Sequence, residues 1–131
     1  MVKYLLDTDH AIDLVRGDSI LEQWILEEGI DAFAISEITL AEMSVYAAKS
    51  GLEKHRRQVA FLEKHFTILP FCAHVEYGAI RAAMERHGKR LDDMDILIAA
   101  TAVRESVTLL TENNRHFSRI PRLRTENWRY N

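Results

Sequence analysis

Apolar residues fall along this chain in short blocks separated by longer stretches of helical periodicity. Residues 2–6 (VKYLL) are an apolar run that stops abruptly at acids, the pattern of a buried strand. Comparable runs occupy residues 32–35, 66–69 (FTIL, closed by Pro70) and 107–110 (VTLL). Between them, residues 10–16, 19–28, 36–49, 52–65, 73–87 and 92–105 read as helices, with Gly51 and Gly88 as stops. The tail from Asn113 reads as loop with one further short strand near Leu123. Strands that alternate with helices predict an α/β fold, a three-layer α/β/α sandwich around a mainly parallel sheet of four to five strands. No repeat, low-complexity tract or linker divides the chain, so residues 1–131 read as a single domain.

Open parallel sheets bind ligands beyond the carboxyl ends of their strands, where the chain order reverses. The pattern delivers particular residues to that edge: Asp7 and Asp9 after the first strand, Ser36 and Glu42 after the second, and Thr111, Glu112 and Asn113 after the fourth. Asp9 is the better candidate to cap the helix that begins near His10, which leaves Asp7 free for another role. Helical residues advance by about 100° each, so Glu42 lies roughly 40° from Ile38 and 60° from Val45. That places it on an apolar arc with Ile38, Ala41 and Val45, where a carboxylate needs a cation. Asp92, Asp93 and Asp95 crowd the first turn of the most apolar helix. One acid there is an ordinary cap, but three repel each other unless a cation sits among them.

Carboxylates from separate segments converging on one sheet edge make an all-oxygen site, which suits hard ions such as Mg²⁺ or Mn²⁺. Such an ion activates water and offsets charge building on a phosphodiester. The histidines add no zinc-like spacing, and of the six only His116 falls near this edge. A Gly-rich phosphate loop, a G-x-S-x-G elbow and a CxxC pair are all missing from the sequence.

Composition narrows the setting. No run approaches the roughly 18 apolar residues of a membrane span, and the acids after Leu6 argue against a signal peptide. The single cysteine, Cys72, rules out an internal disulfide and fits a reducing cytoplasm. The net charge of −3 is unusual for a nucleic-acid binder, but the charge is uneven. From Arg115 onward five arginines (115, 119, 122, 124 and 129) face one acid, Glu126. This is either a solvated edge or a path for a polyanion, with Arg115 and Arg119 nearest the acidic edge.

Four segments together resemble the PIN-domain family, and in particular the VapC toxins. They are LLDTDHAI (residues 5–12), SEITLAEM (36–43), GKRLDDMDILIAATAV (88–103) and LLTENNRHFSRIPRLRTENW (109–128 in its span), in family order and over nearly the whole chain. The resemblance implies that Asp7, Glu42 and Asp95 hold a divalent cation, with Thr8 and Thr111 as supporting hydroxyls. The fourth position falls on Asn113, where many PIN domains carry Asp and several VapC-like toxins carry Asn. Asp92 and Asp93 are not standard ligands and are left to cap the helix or hold a cation's water. Arg122-Leu123 stands where Gly-Leu is usual. The implied activity is Mg²⁺- or Mn²⁺-dependent cleavage of RNA, such as a tRNA loop, leaving 5′-phosphate and 3′-hydroxyl ends. The implied partners are a VapB-like antitoxin and a second copy of the chain. Trp24, Tyr46 and Phe61 are candidate apolar contacts, each equally explicable as core.

Two other readings compete. Asp7-Thr8-Asp9 is a D-x-D after the first strand, as in haloacid-dehalogenase-like phosphatases, but Ala11 replaces the expected Thr or Val and no lysine follows the fourth strand. Asn113 is the main support for a non-cleaving, metal-dependent RNA- or partner-binding module.

Overall fold

The structure, a computed structural model, describes residues 1–88 and 91–127. Lys89, Arg90, Trp128 and Arg129, which belong to the third and fourth segments and to the basic tail, lie outside the described residues. Five strands, β1 (Tyr4–Leu6), β2 (Phe33–Ser36), β3 (Thr67–Leu69), β4 (Thr108–Leu110) and β5 (Arg124–Glu126), form one sheet in the order β3-β2-β1-β4-β5. Every pairing is parallel. The helices are α1 (Thr8–Val15), α2 (Ser19–Glu28), α3 (Glu37–Ser50), α4 (Glu53–His65), α5 (His74–Arg86), α6 (Asp93–Glu105) and the one-turn α7 (Asn114–Phe117).

The two-residue period of the strands divides the core into two layers. Leu5 lies in register with Ala34 and Leu109, and all three join the cluster built from Ile80 and Met84 of α5 and Ile96, Ala99 and Ala100 of α6. Leu6 lies in register with Ile35 and Leu110, and these face Ala11, Leu21, Ile25, Met43 and Leu62 of α1 to α4. A sheet buried on both faces explains why its strands read as unbroken apolar runs. Trp24 belongs to this second layer, its ring 4.9 Å from Tyr4 and 5.3 Å from Phe33. Tyr46 and Phe61 do not; they remain 53% and 47% exposed.

The expected boundaries need three corrections. Helix α1 begins at Thr8, so its cap is Asp7, whose side chain accepts from the His10 backbone N–H at 2.8 Å. Asp9 instead lies inside the first turn. The tail carries the strand expected near Leu123, as β5, but also α7 where loop is expected; four residues, only Phe117 of them buried, give no periodic pattern. Finally, the buried stripe of α3 is Thr39, Met43 and Ala47. Ala41 and Val45 are exposed, so of the apolar arc expected around Glu42 only Ile38 packs against the core. Glu42 is half-buried because it borders the Thr39–Met43 stripe.

Candidate active site

The chain leaves β1 towards β2 and β3, then returns to β4 on the other side of β1. The order therefore reverses between β1 and β4, and the crevice of a parallel sheet opens at the carboxyl ends of those strands. Asp7 and Thr111 occupy those ends. The Asp7 N–H donates to the Leu110 carbonyl at 3.1 Å, tying the two strand ends together. Thr111 is fully buried; its N–H donates to the Glu126 carbonyl at 3.0 Å, and its hydroxyl accepts from the Asn113 N–H at 3.0 Å. This last bond fixes the turn that presents Asn113, which is exposed at the start of α7.

Glu42 arrives from α3, whose start is set by Ser36 accepting from the Ile38 N–H at 3.0 Å. The Thr8 hydroxyl donates to Glu42 Oε1 at 2.6 Å and lies 3.0 Å from the hydroxyl of the fully buried Thr39. Thr39 lies within the second segment, and its role emerges only in the structure. Its i,i+3 spacing to Glu42, which places both on one side of a helix, was the available signal.

Asp95 comes from the first turn of α6 and is half-buried. Burial is the main cause that raises its pKa to about 6, reinforced by the negative charges of Asp92, Glu42, Asp7 and Asp9. Glu42 is also raised, first by burial and then by Asp92, Asp9 and Asp7, with the Thr8 hydrogen bond pulling the other way. Asp9 is raised by burial and then by Asp7, Asp13 and Glu112, with His10 opposing. These acids therefore lie within reach of one another's charge. The crowding of α6 is milder than expected, because Asp93 turns to Arg81 (2.7 Å) and the Tyr77 hydroxyl (3.1 Å). Asp92 stands at the cap position of α6 but makes no side-chain capping bond. Among the described residues, no three Asp, Glu, His or Cys side chains are grouped tightly enough to cage an ion by themselves.

A second histidine differs from expectation. His10, not only His116, is at this edge: it is fully buried, and its Nδ1 lies 2.8 Å from Asp7 Oδ1. The i,i+3 relation to Asp7 arises because α1 begins at Thr8 rather than near His10. Two clefts include acids of this group in their walls. One, of about 330 Å³, is lined by Thr8, Asp9, Arg16, Glu42, Tyr46 and His55. The other, of about 430 Å³, is lined by Arg81, Met84, Leu91, Asp92 and Ile96. Arg115 and Arg119 are exposed in and just after α7, on the segment that follows Asn113.

A family model for the PIN domain matches residues 4–123, and the chain belongs to that family. Within it, the relatives are VapC ribonucleases. The chain is 35% identical to Ribonuclease VapC2 of Haemophilus influenzae, over 98% of this chain and 99% of the relative. It is 32% identical, with the same coverage, to a protein of Shigella flexneri named tRNA(fMet)-specific endonuclease VapC. Among solved structures it superposes with TM-score 0.85 on the DNA-bound VapBC of Salmonella typhimurium, at 29% identity, over 98% of this chain and 99% of that one. Family membership sets aside the dehalogenase-like reading of Asp7-Thr8-Asp9. Arg122, the odd residue in the last segment, has φ of 67°, a left-handed conformation that would favour glycine over arginine.

Proposed function

We propose that this chain is a divalent-metal-dependent endoribonuclease of the VapC type, hydrolysing RNA phosphodiester bonds at the carboxyl edge of the sheet. The observation that carries the reading is the convergence of Asp7, Glu42, Asp92 and Asp95 at this edge, where burial first and the neighbouring negative charges second raise Asp95 to about 6. Burying acids beside acids costs free energy that a bound cation returns. The donor set is all oxygen, as Mg²⁺ and Mn²⁺ prefer, and Mg²⁺ uses only one or two carboxylates together with its own waters. A ready cage of three side chains is therefore not required.

In this reading Asp7 and Asp95 hold the cation, and Glu42 holds it or orients the attacking water. When bound, the cation supplies the activated water and neutralises charge developing on the phosphodiester. Thr8 keeps Glu42 Oε1 in place, and Thr111 holds the turn that brings the Asn113 side-chain carbonyl to the edge. Asp92 borders both the cluster and one cleft, and its role is to hold the cation's outer waters. Arg115 and Arg119 contact RNA phosphates, which offsets the net negative charge of the chain. The substrate is a structured RNA with an accessible loop, and the Shigella relative's name directs the first trials to tRNA. A VapB-like antitoxin inhibits by sending a basic side chain into the carboxylates, and the active form is a homodimer in the cytoplasm.

The test is cleavage of a tRNA pool by the purified chain with Mg²⁺ or Mn²⁺, with EDTA, and by the Asp95→Asn variant. Cleavage that needs metal is expected, with a loss in the variant exceeding the ~10–100-fold typical of changes one shell further out. Full cleavage in EDTA, or by folded Asp95→Asn, refutes the assignment. RNA binding with no cleavage under any metal supports the non-cleaving module instead.

A further inference from the structure

His10 is fully buried, and burying an imidazole costs free energy unless its polar atoms are hydrogen-bonded. Its backbone N–H already supplies the helix cap by donating to Asp7 Oδ1 at 2.8 Å, and any residue at this position would do that. The ring does something further: Nδ1 reaches the same Oδ1, also at 2.8 Å. Because Oδ1 is an acceptor when the carboxylate is ionised, Nδ1 carries the proton in this contact. Two donors arriving at one oxygen from different directions fix the plane of the carboxylate and commit Oδ1. They leave Oδ2 as the oxygen for an external partner.

We propose that His10 is a positioning residue, which orients the Asp7 carboxylate for the divalent cation through its ring Nδ1–H. This rests on the reading of Asp7 as a ligand given above. It matches on Asp7 what the Thr8 hydroxyl does on Glu42 at 2.6 Å. Ligating carboxylates are held by such outer hydrogen bonds, and losing one typically weakens metal affinity or activity by ~10–100-fold.

The experiment measures Mn²⁺ affinity of the full chain without RNA, by electron paramagnetic resonance, for wild type, His10→Leu, His10→Asn, His10→Gln and Asp7→Asn. Asn places an N–H where the ring has Nδ1; Gln places it where the ring has Nε2; Leu keeps bulk and removes both. The expected result is that His10→Leu and His10→Gln weaken Mn²⁺ binding by ~10–100-fold while His10→Asn stays close to wild type. In RNA cleavage, the Leu and Gln variants lower kcat with KM for RNA unchanged. A packing role gives the opposite order, with Leu tolerated and the smaller, polar Asn harmful. The proposal is overturned if His10→Leu binds Mn²⁺ like wild type while Asp7→Asn does not. Should the Leu variant not fold, equal affinities for the Asn and Gln variants overturn it as well. Wild-type affinity in Asp7→Asn would instead remove the ligand reading, and the role of His10 with it.

Discussion

Asp95→Asn removes one negative charge from a site where acids repel, and it should make the metal-free protein more stable. The Asp95 pKa rises from an ordinary 3.8 to about 6, roughly 2 units. At about 1.4 kcal/mol per unit, full expression would be about 3 kcal/mol. Asp95 is only half-buried, and solvent screening reduces this to about 1–2 kcal/mol. The α6 dipole, which favours an acid in the first turn by ~0.3–1 kcal/mol, sets the lower end. The sign follows from proton binding. Between pH 4 and 6 the folded state holds the Asp95 proton more tightly than the unfolded state, so wild type loses stability as pH rises through that window. Asparagine does not titrate, so the variant's advantage is absent below about pH 4 and complete above about pH 7. Urea or thermal unfolding of both proteins in EDTA, compared at pH 4 and pH 8, reads this difference directly. At pH 8 the variant should melt ~4–8 °C higher. Adding Mg²⁺ should then raise wild type much more than the variant, since only a state that binds ligand gains from it. Equal stability of the two proteins at pH 8 in EDTA would refute the claim that this edge is electrostatically strained.

Further outcomes follow from individual contacts. Arg122→Gly relieves a left-handed residue, worth ~1–2 kcal/mol, against ~0.5–1 kcal/mol of extra chain entropy. The net gain of about 0.5–1 kcal/mol should raise Tm by a few degrees, and a lower Tm would contradict the strain assigned there. Thr8→Val deletes the donor to Glu42, costing about 1 kcal/mol and raising the Glu42 pKa further. The acid limb of the pH–rate profile should therefore move to higher pH, and an unmoved limb would separate Glu42 from the rate. Asn113→Asp adds a carboxylate beside Thr111, so calorimetry should find tighter Mn²⁺ binding and melting in EDTA a lower Tm. Unchanged values would place Asn113 outside the cluster's field.

The elements of this fold were legible in the sequence wherever burial was on both faces or periodic. Apolar runs at β1, β2 and β4 and the long stripe of α6 have to be buried, and chain order then leaves few arrangements other than a parallel sheet between helical layers. The positions of Asp7, Glu42 and Asp95 followed from the rule that such sheets bind at their carboxyl edge, together with the four family-like segments. Local pattern failed where backbone pairing or short turns decide. The one-turn α7 (Asn-Arg-His-Phe) buries only Phe117, so it carries no apolar period to read, whereas the polar β5 (Arg-Thr-Glu) is a strand through its backbone pairing with β4. Which acids feel one another was also beyond the sequence. Three aspartates at α6 look equivalent on paper, yet Asp93 is drawn off by Arg81 from α5, while Asp92 and Asp95 share the field of Glu42 and Asp7. His10 joins Asp7 because the helix begins at Thr8, a boundary fixed by the capping bond of Asp7 itself. Sequence determined which residues had to be inside and which edge would carry the acids. Only the tertiary structure decided their partners, because Coulomb and hydrogen-bond energies depend on distances of a few ångströms between segments far apart along the chain.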